Sequence, residues 1–289
     1  MRLTSRREWL QETSGGVLAA AILPGMNQTP STDGRYRGVM LGVQSYSFRE
    51  MKLEEAIAGM NKLGIRSSEL WHRHVEPAGS REELRKWRET VSLDHYHRLR
   101  EQFAKAGVTV ATFDFAFRDD SSDAEVDRAF EMAKALGAGA MTSSANVKVV
   151  SRIAAAAARH KLRVGMHNHS RIDPNEFATP ESLTNAMNQS PFIVTTLDIG
   201  HFTAANFDAV PFLKTHHARV VSLHIKDRLR NQGETVPFGT GDAPIAAVLR
   251  LLRDEGWPIV ANIEYEYKGA NTIEEVGKCL DFCRKALDS

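Results

Sequence analysis

From Val39 onward the chain alternates between two hydrophobic rhythms. Short apolar runs rich in β-branched residues, period two, give way to longer stretches with apolar spacings of three and four. The first rhythm predicts strands over 39–45, 67–71, 109–115, 140–144, 162–167, 193–199, 220–226 and 259–265. The second predicts helices over 53–63, 93–106, 123–136, 148–160, 180–187, 245–255 and 272–287, with a weaker one near 207–215. Gly64, Gly107, Gly137 and Gly256 directly follow helices and read as C-caps, and Thr179 reads as an N-cap. A long polar loop joins the second strand to its helix. Within it Arg81–Arg88 reads as a solvated helix face.

Strict strand–helix alternation implies parallel strands with helices outside. Eight such units in one run predict a single α/β domain, a closed (β/α)8 TIM barrel, over residues 37–289. No G-x-G-x-x-G follows the first strand, so a dinucleotide-binding sheet has no support.

Four strands in the second half end in residues that can hold a metal ion. They are V-G-M-H-N-H (164–169), V-T-T-L-D-I-G-H (194–201), V-V-S-L-H-I-K-D (220–227) and I-V-A-N-I-E-Y-E (259–266). In each, one face is apolar. The other carries His167 and His169, Asp198, His224 and Lys226, or Glu264 and Glu266. The second strand adds Glu69 opposite Leu70, and the first adds Gln44 opposite Val43. One polar strand-end residue is often a satisfied buried group. Five or six on separate strands imply a site, because each buried charge must be paired. In such barrels chemistry sits at the C-terminal strand ends.

Composition narrows the classes. The 37 basic and 36 acidic residues nearly cancel, which favours neither nucleic acid nor an anionic membrane surface. No apolar run approaches the ~18 residues of a membrane span. The two cysteines, Cys279 and Cys283, lie one helical turn apart, where a disulfide is disfavoured, and read as core.

The start of the chain reads as an address. Charged M-R-L-T-S-R-R-E-W-L-Q precedes the small apolar stretch V-L-A-A-A-I-L, the layout of an export signal. Paired Arg6 and Arg7 before Trp9 and Leu10 resemble the twin-arginine consensus, which directs folded proteins out of the cytoplasm. Residues 1–36 are therefore expected to be signal and linker, and the mature protein periplasmic. The alternative, an amphipathic N-terminal helix, is opposed by Gly15, Gly16 and Pro24.

Taken together, E-L-W, H-N-H, L-D-I-G-H, L-H-I-K-D and I-E-Y-E resemble the xylose-isomerase-like TIM barrels. That group of sugar (phosphate) isomerases and epimerases includes tagatose 3-epimerase and endonuclease IV. The likeness covers almost all of 39–287, and V-P-F-G-T-G-D (236–242) resembles the family's G-x-G loop. In the sugar epimerases Glu, Asp, His and Glu hold one divalent metal. The resemblance carries these roles to Asp198, His224 and Glu264, with His167 where the first Glu would stand. Imidazole suits Zn²⁺, Mn²⁺ or Fe²⁺ better than Mg²⁺; Mn²⁺ or Zn²⁺ is expected, with Co²⁺ also open. In those epimerases the two metal-binding carboxylates also move the proton, so the His167 substitution leaves Glu264 as the expected proton carrier. Glu69 and His167 are the other catalytic candidates.

Gln44, Trp71, His201 and Lys226 are the candidate substrate contacts, with His72 and His74 beside Trp71. Lys226 could instead pair with Asp227 or Glu264, and Glu266 could replace Glu264 as ligand. The implied activity is isomerisation or epimerisation of a sugar or keto-sugar. The alternatives are a lyase or hydrolase of 3-keto-glycosides, working with a partner sugar oxidoreductase, or an inactive sugar-binding protein. Endonuclease chemistry is opposed by the neutral charge and the shortage of further His and Glu ligands. The oligomeric state stays open, a homo-oligomer included.

Overall fold

The computed structural model describes residues 34–289, so the stretch read as an export signal lies outside the described residues. A two-residue strand, β1 (Arg35–Tyr36), pairs antiparallel with the first barrel strand, β2 (Val39–Gln44). Arg37 and Gly38 turn between them at φ of 50° and 83°, the sign a two-residue hairpin of right-handed twist requires. The Tyr36 hydroxyl and the Arg37 guanidinium both donate to Asp288, at 2.7 and 2.8 Å. They tie this hairpin to the last helix.

The other strands are β3 (Ser67–Trp71), β4 (Thr109–Asp114), β5 (Ala140–Ser143), β6 (Val164–His167), β7 (Ile193–Asp198), β8 (Val220–Ile225) and β9 (Val260–Ile263). Each is parallel to the next. β9 returns to β2 through Leu41↔Ala261, Gly42↔Asn262 and Val43↔Ile263, which closes the eight-stranded barrel expected from the alternation. The helices are α1 (Leu53–Leu63), α2 (Arg81–Thr90), α3 (Leu93–Lys105), α4 (Asp123–Leu136), α5 (Val150–His160), α6 (Pro180–Met187), α7 (Ile199–Ala204), α8 (Ala209–His216), α9 (Ile245–Glu255) and α10 (Thr272–Asp288). Thr179 caps α6 by accepting from the Ser182 N–H.

Two differences from the sequence reading bear on function. The helix face read at Arg81–Arg88 belongs to a full helix, α2, started by a Ser80–Glu83 capping box. Its face is not simply solvated. Arg88 is buried, donating twice to Glu76 (2.8 and 2.7 Å) and once to Glu125 (2.8 Å). The strand β7 leads into two short helices rather than one weak one, and Asp198 caps the first of them.

Side-chain alternation sorts the barrel. Val43, Leu70, Met166, Leu197, Leu223, Ile225, Ala261 and Ile263 are buried in the apolar core shared with the helices. The opposite parity is polar and equally buried: Gln44, Glu69, Thr112, Thr142, Thr196, Ser222 and Asn262. Two strands make room for it with glycine. A Cβ on Gly42 would sit 2.4 Å from Asn262 Oδ1, and one on Gly165 would sit 2.2 Å from Thr196 Oγ1. Cys279 and Cys283 are free and buried, as core residues should be.

Candidate metal centre

The four expected ligands meet. One donor atom each from His167, Asp198, His224 and Glu264 lies within 4.8 Å of the others, and all four residues are buried. The facing atoms are His167 Nε2, Asp198 Oδ2, His224 Nδ1 and Glu264 Oε2. None of these has a hydrogen-bond partner among the described residues. His167 Nε2 is 3.6 Å from Asp198 Oδ2, and His224 Nδ1 is 3.1 Å from Glu264 Oε2, without hydrogen-bond alignment. Buried polar atoms are rarely left unpaired. Two imidazole nitrogens and two carboxylate oxygens converging on one point fit a divalent cation of the Zn²⁺ or Mn²⁺ type.

Both histidines have a partner on the ring nitrogen away from the centre, and for His224 that partner is a carboxylate. His224 Nε2 is 2.9 Å from Glu69 Oε1, so the ring donates there and its Nδ1 lone pair faces the centre. His167 Nδ1 lies 3.3 Å from Ser144 Oγ, a hydroxyl able to accept from the ring when Nε2 faces the centre. Glu69 is fully buried and accepts from six residues. Gln44 (2.7 Å), Thr142 (2.8 Å) and His224 meet Oε1. Thr112 (3.0 Å), Asn262 (3.3 Å) and Ser222 (3.5 Å) meet Oε2. A carboxylate so occupied suits support of His224, not the proton-carrying role read for it from the sequence. Gln44, read as a substrate contact, lines the cavity, and its amide also donates to Glu69 and accepts from the Tyr46 N–H.

Lys226 is buried beside the ligands. Its ammonium lies 3.0 Å from Asp198, 2.9 Å from Glu264 and 2.6 Å from Glu266. Glu266 is thus the outer partner of this lysine, and Glu264 the residue in the ligand cluster. Asp227 plays no part here. It accepts the N–H groups of Gly239, Gly241 and Ala243, which explains the G-x-G loop. A Cβ on Gly241 would come within 2.3 Å of Asp227 Oδ1.

The charges are arranged by these contacts. Burial pushes the Glu264 carboxyl up, but Lys226 and His224 outweigh it and hold the group ionised, below the usual range. Burial likewise opposes charge on His224, yet in the metal-free chain Glu264 and Glu69 raise its pKa well above the ordinary value, so a metal ion would have to displace the Nδ1 proton. For His201, burial wins over Asp198 and keeps the ring neutral. Arg228 lies 2.6 Å from His201 Nδ1 and the Lys226 ammonium 3.3 Å from Nε2, so both ring nitrogens face cationic donors. Burial brings His169 down to about 3; its Nδ1 is 3.4 Å from Glu176.

A cavity of about 190 Å³ lies over the centre, lined by Trp71, His201, Lys226 and Glu264 among others. Trp71 and His72 also line an adjoining space, whereas His74 turns away to Ser45 and the Phe48 carbonyl. Two residues escaped the sequence reading. Ser144 and Arg228 orient His167 and His201, but each is an ordinary loop residue until the fold brings it near.

A search of curated proteins gives no match. Solved structures give the fold. A sugar phosphate isomerase/epimerase from Parabacteroides distasonis superposes with a TM-score of 0.62 at 16% identity, over 84% of this chain and 94% of that one. An L-ribulose 3-epimerase gives 0.64 at 16% identity, over 86% and 94%. The IOLI protein, described with a bound zinc atom, gives 0.65 at 16%, over 86% and 98%. At such identity the likeness carries architecture and not reaction. The family model for the xylose isomerase-like TIM barrel matches residues 57–286, and the chain belongs to that family.

Proposed function

We propose that the protein is a metal-dependent isomerase or epimerase that moves a proton at a carbon beside the carbonyl of a sugar or keto-sugar. The observation that carries it is the convergence of two imidazole nitrogens and two carboxylate oxygens under a polar cavity, with the Lys226 ammonium beside the oxygens. The isomerase and epimerase among the structural neighbours support the substrate class. A divalent ion bound there supplies a Lewis acid that polarises substrate oxygens and acidifies the neighbouring C–H.

The chain's own groups do the rest. Glu264 is ionised, lies at the cavity wall and is the carboxylate placed to take a proton from carbon. Neutral His201 lines the cavity between Arg228 and Lys226. Lys226 balances Asp198, Glu264 and Glu266, and its ammonium lines the same cavity. The test is proton exchange. Free ketohexoses and 3-keto-glucosides incubated with the protein and Mn²⁺ in heavy water should show loss of one C–H signal by NMR. No exchange on either class, with metal bound, would refute the proposal.

One observation favours a second reading. His167 stands where the resemblance places another carboxylate, so a symmetric exchange between two carboxylates is not available. Elimination from a 3-keto-glycoside needs one base and a leaving group, which suits the single Glu264. Release of the aglycone, rather than an epimeric sugar, in the same NMR experiment would decide for this reading.

A further inference from the structure

The cavity over the metal centre, about 190 Å³, falls below the ~300–1,000 Å³ usual for ligand sites. It does not end there. A second chamber of about 450 Å³ adjoins it and shares Trp71, Asp114, Ser144 and His169. Its far wall is α2, the helix the sequence reading placed in a polar loop. That wall is built firmly. Arg88 is buried between Glu76 and Glu125, and Arg81 is paired with Asp120 at 2.6 Å. A buried ion pair adds little to stability compared with an apolar contact of the same size, but it fixes geometry once made.

The chamber is lopsided in charge. Four arginines, Arg73, Arg81, Arg88 and Arg118, face one acid, Asp114. Arg81 and Arg88 are neutralised by acids outside the lining. Arg73 and Arg118 have no carboxylate partner among the described residues. Arg118 donates to the Ser144 carbonyl at 3.2 Å, and Arg73 lies 5.8 Å from the centre of the Trp71 ring. Trp71 is itself braced edge-on by Tyr46 and His74, with ring centres 4.9 and 5.5 Å away. An aromatic ring and two exposed guanidiniums lining one chamber suit a ring bearing a carboxylate or phosphate.

We propose that the substrate has two parts: a sugar unit that reacts over the metal centre, and a second, anionic unit that occupies the outer chamber against Trp71, Arg73 and Arg118. This rests on the sugar reading above and narrows it. Titration calorimetry on the Mn²⁺-loaded full chain tests it. Trehalose 6-phosphate is compared with trehalose, cellobiouronate with cellobiose, and glucose 6-phosphate with glucose.

A two-unit anion should bind about tenfold tighter than its neutral counterpart, the scale of one charged hydrogen bond. The phosphate and carboxylate pairs show which anion is preferred. The one-unit pair should show no such gain, and R73Q/R118Q should abolish the gain while leaving the affinity for glucose intact. The proposal is overturned by equal affinity within both two-unit pairs, by a gain that survives R73Q/R118Q, or by an equal gain for glucose 6-phosphate. Absence of binding by these probes, together with no proton exchange on ketohexoses or 3-keto-glucosides, overturns the sugar reading as well. Binding of glucose without the anion gain overturns only this proposal.

Discussion

Glu69→Gln is the substitution whose consequence the structure specifies most closely. The side chain keeps its shape but exchanges one oxygen for an amide nitrogen. The hydroxyls of Thr112 and Ser222, which meet Oε2, can rotate and become acceptors. The new nitrogen therefore settles on that side, facing the Asn262 amide that also donated there at 3.3 Å. One buried donor then lacks an acceptor, at a cost of ~1–3 kcal/mol in stability. On the other side, His224 keeps its 2.9 Å contact but loses the charge of the acceptor. Charge-assisted bonds are roughly twice as strong as neutral ones, and loss of such support to a metal-binding histidine typically costs ~10–100-fold in affinity. The expected result is Mn²⁺ affinity reduced ~10–100-fold, or ~1.4–2.7 kcal/mol, with the fold intact. Competition against a fluorescent chelator measures the affinity, and urea unfolding measures stability. A folded Glu69→Gln protein that binds Mn²⁺ as tightly as the parent would refute the role given to Glu69.

Other outcomes follow from the same geometry. Glu264→Gln keeps a metal-binding oxygen but no base, so it should retain part of its metal and lose most turnover, by ~10²–10⁴, with heavy-water exchange falling in parallel. Exchange that persists while product formation stops would place Glu264 after proton removal and favour the lyase reading. Lys226→Met removes a cation 3.0 and 2.9 Å from two ligand carboxylates. The metal-free variant should melt lower, since broken buried pairs cost ~3–5 kcal/mol, and it should bind Mn²⁺ more tightly; unchanged or weaker binding contradicts this. Replacing Arg6 and Arg7 by Lys should block export of the folded protein, followed by fractionation, and continued export would sink the twin-arginine assignment.

Much of the site was legible because strand parity is a local property. His167, Asp198, His224 and Glu264 each stand at the end of an apolar run, so their common face and common end follow from period two and parallel strands. Depth along the barrel axis is not local. Glu69 pairs in register with Gln44 and Thr112, while Glu264 lies two residues beyond Asn262, the partner of His224. Glu69 bonds Asn262, two residues before Glu264, and Ser222, two before His224, so it sits beneath the ligands rather than among them, which only side-chain contacts in the closed barrel reveal. Arg88 shows the same limit. A charged residue in a polar run reads as solvated, and its burial depends on Glu76 and Glu125, 12 and 37 residues away in the chain. The choice of Glu264 over Glu266 turned on Lys226, whose ammonium draws Glu266 outward.

The most direct measurement is a Co²⁺ titration of the purified chain, followed by visible d–d absorption. A site of two imidazoles and two carboxylates in low coordination should give an intense band that saturates at one ion per chain. The band should be absent from an Asp198→Asn/His224→Asn variant whose circular dichroism matches the parent. Saturation that never appears, or that survives this double substitution, would contradict a metal centre formed by His167, Asp198, His224 and Glu264.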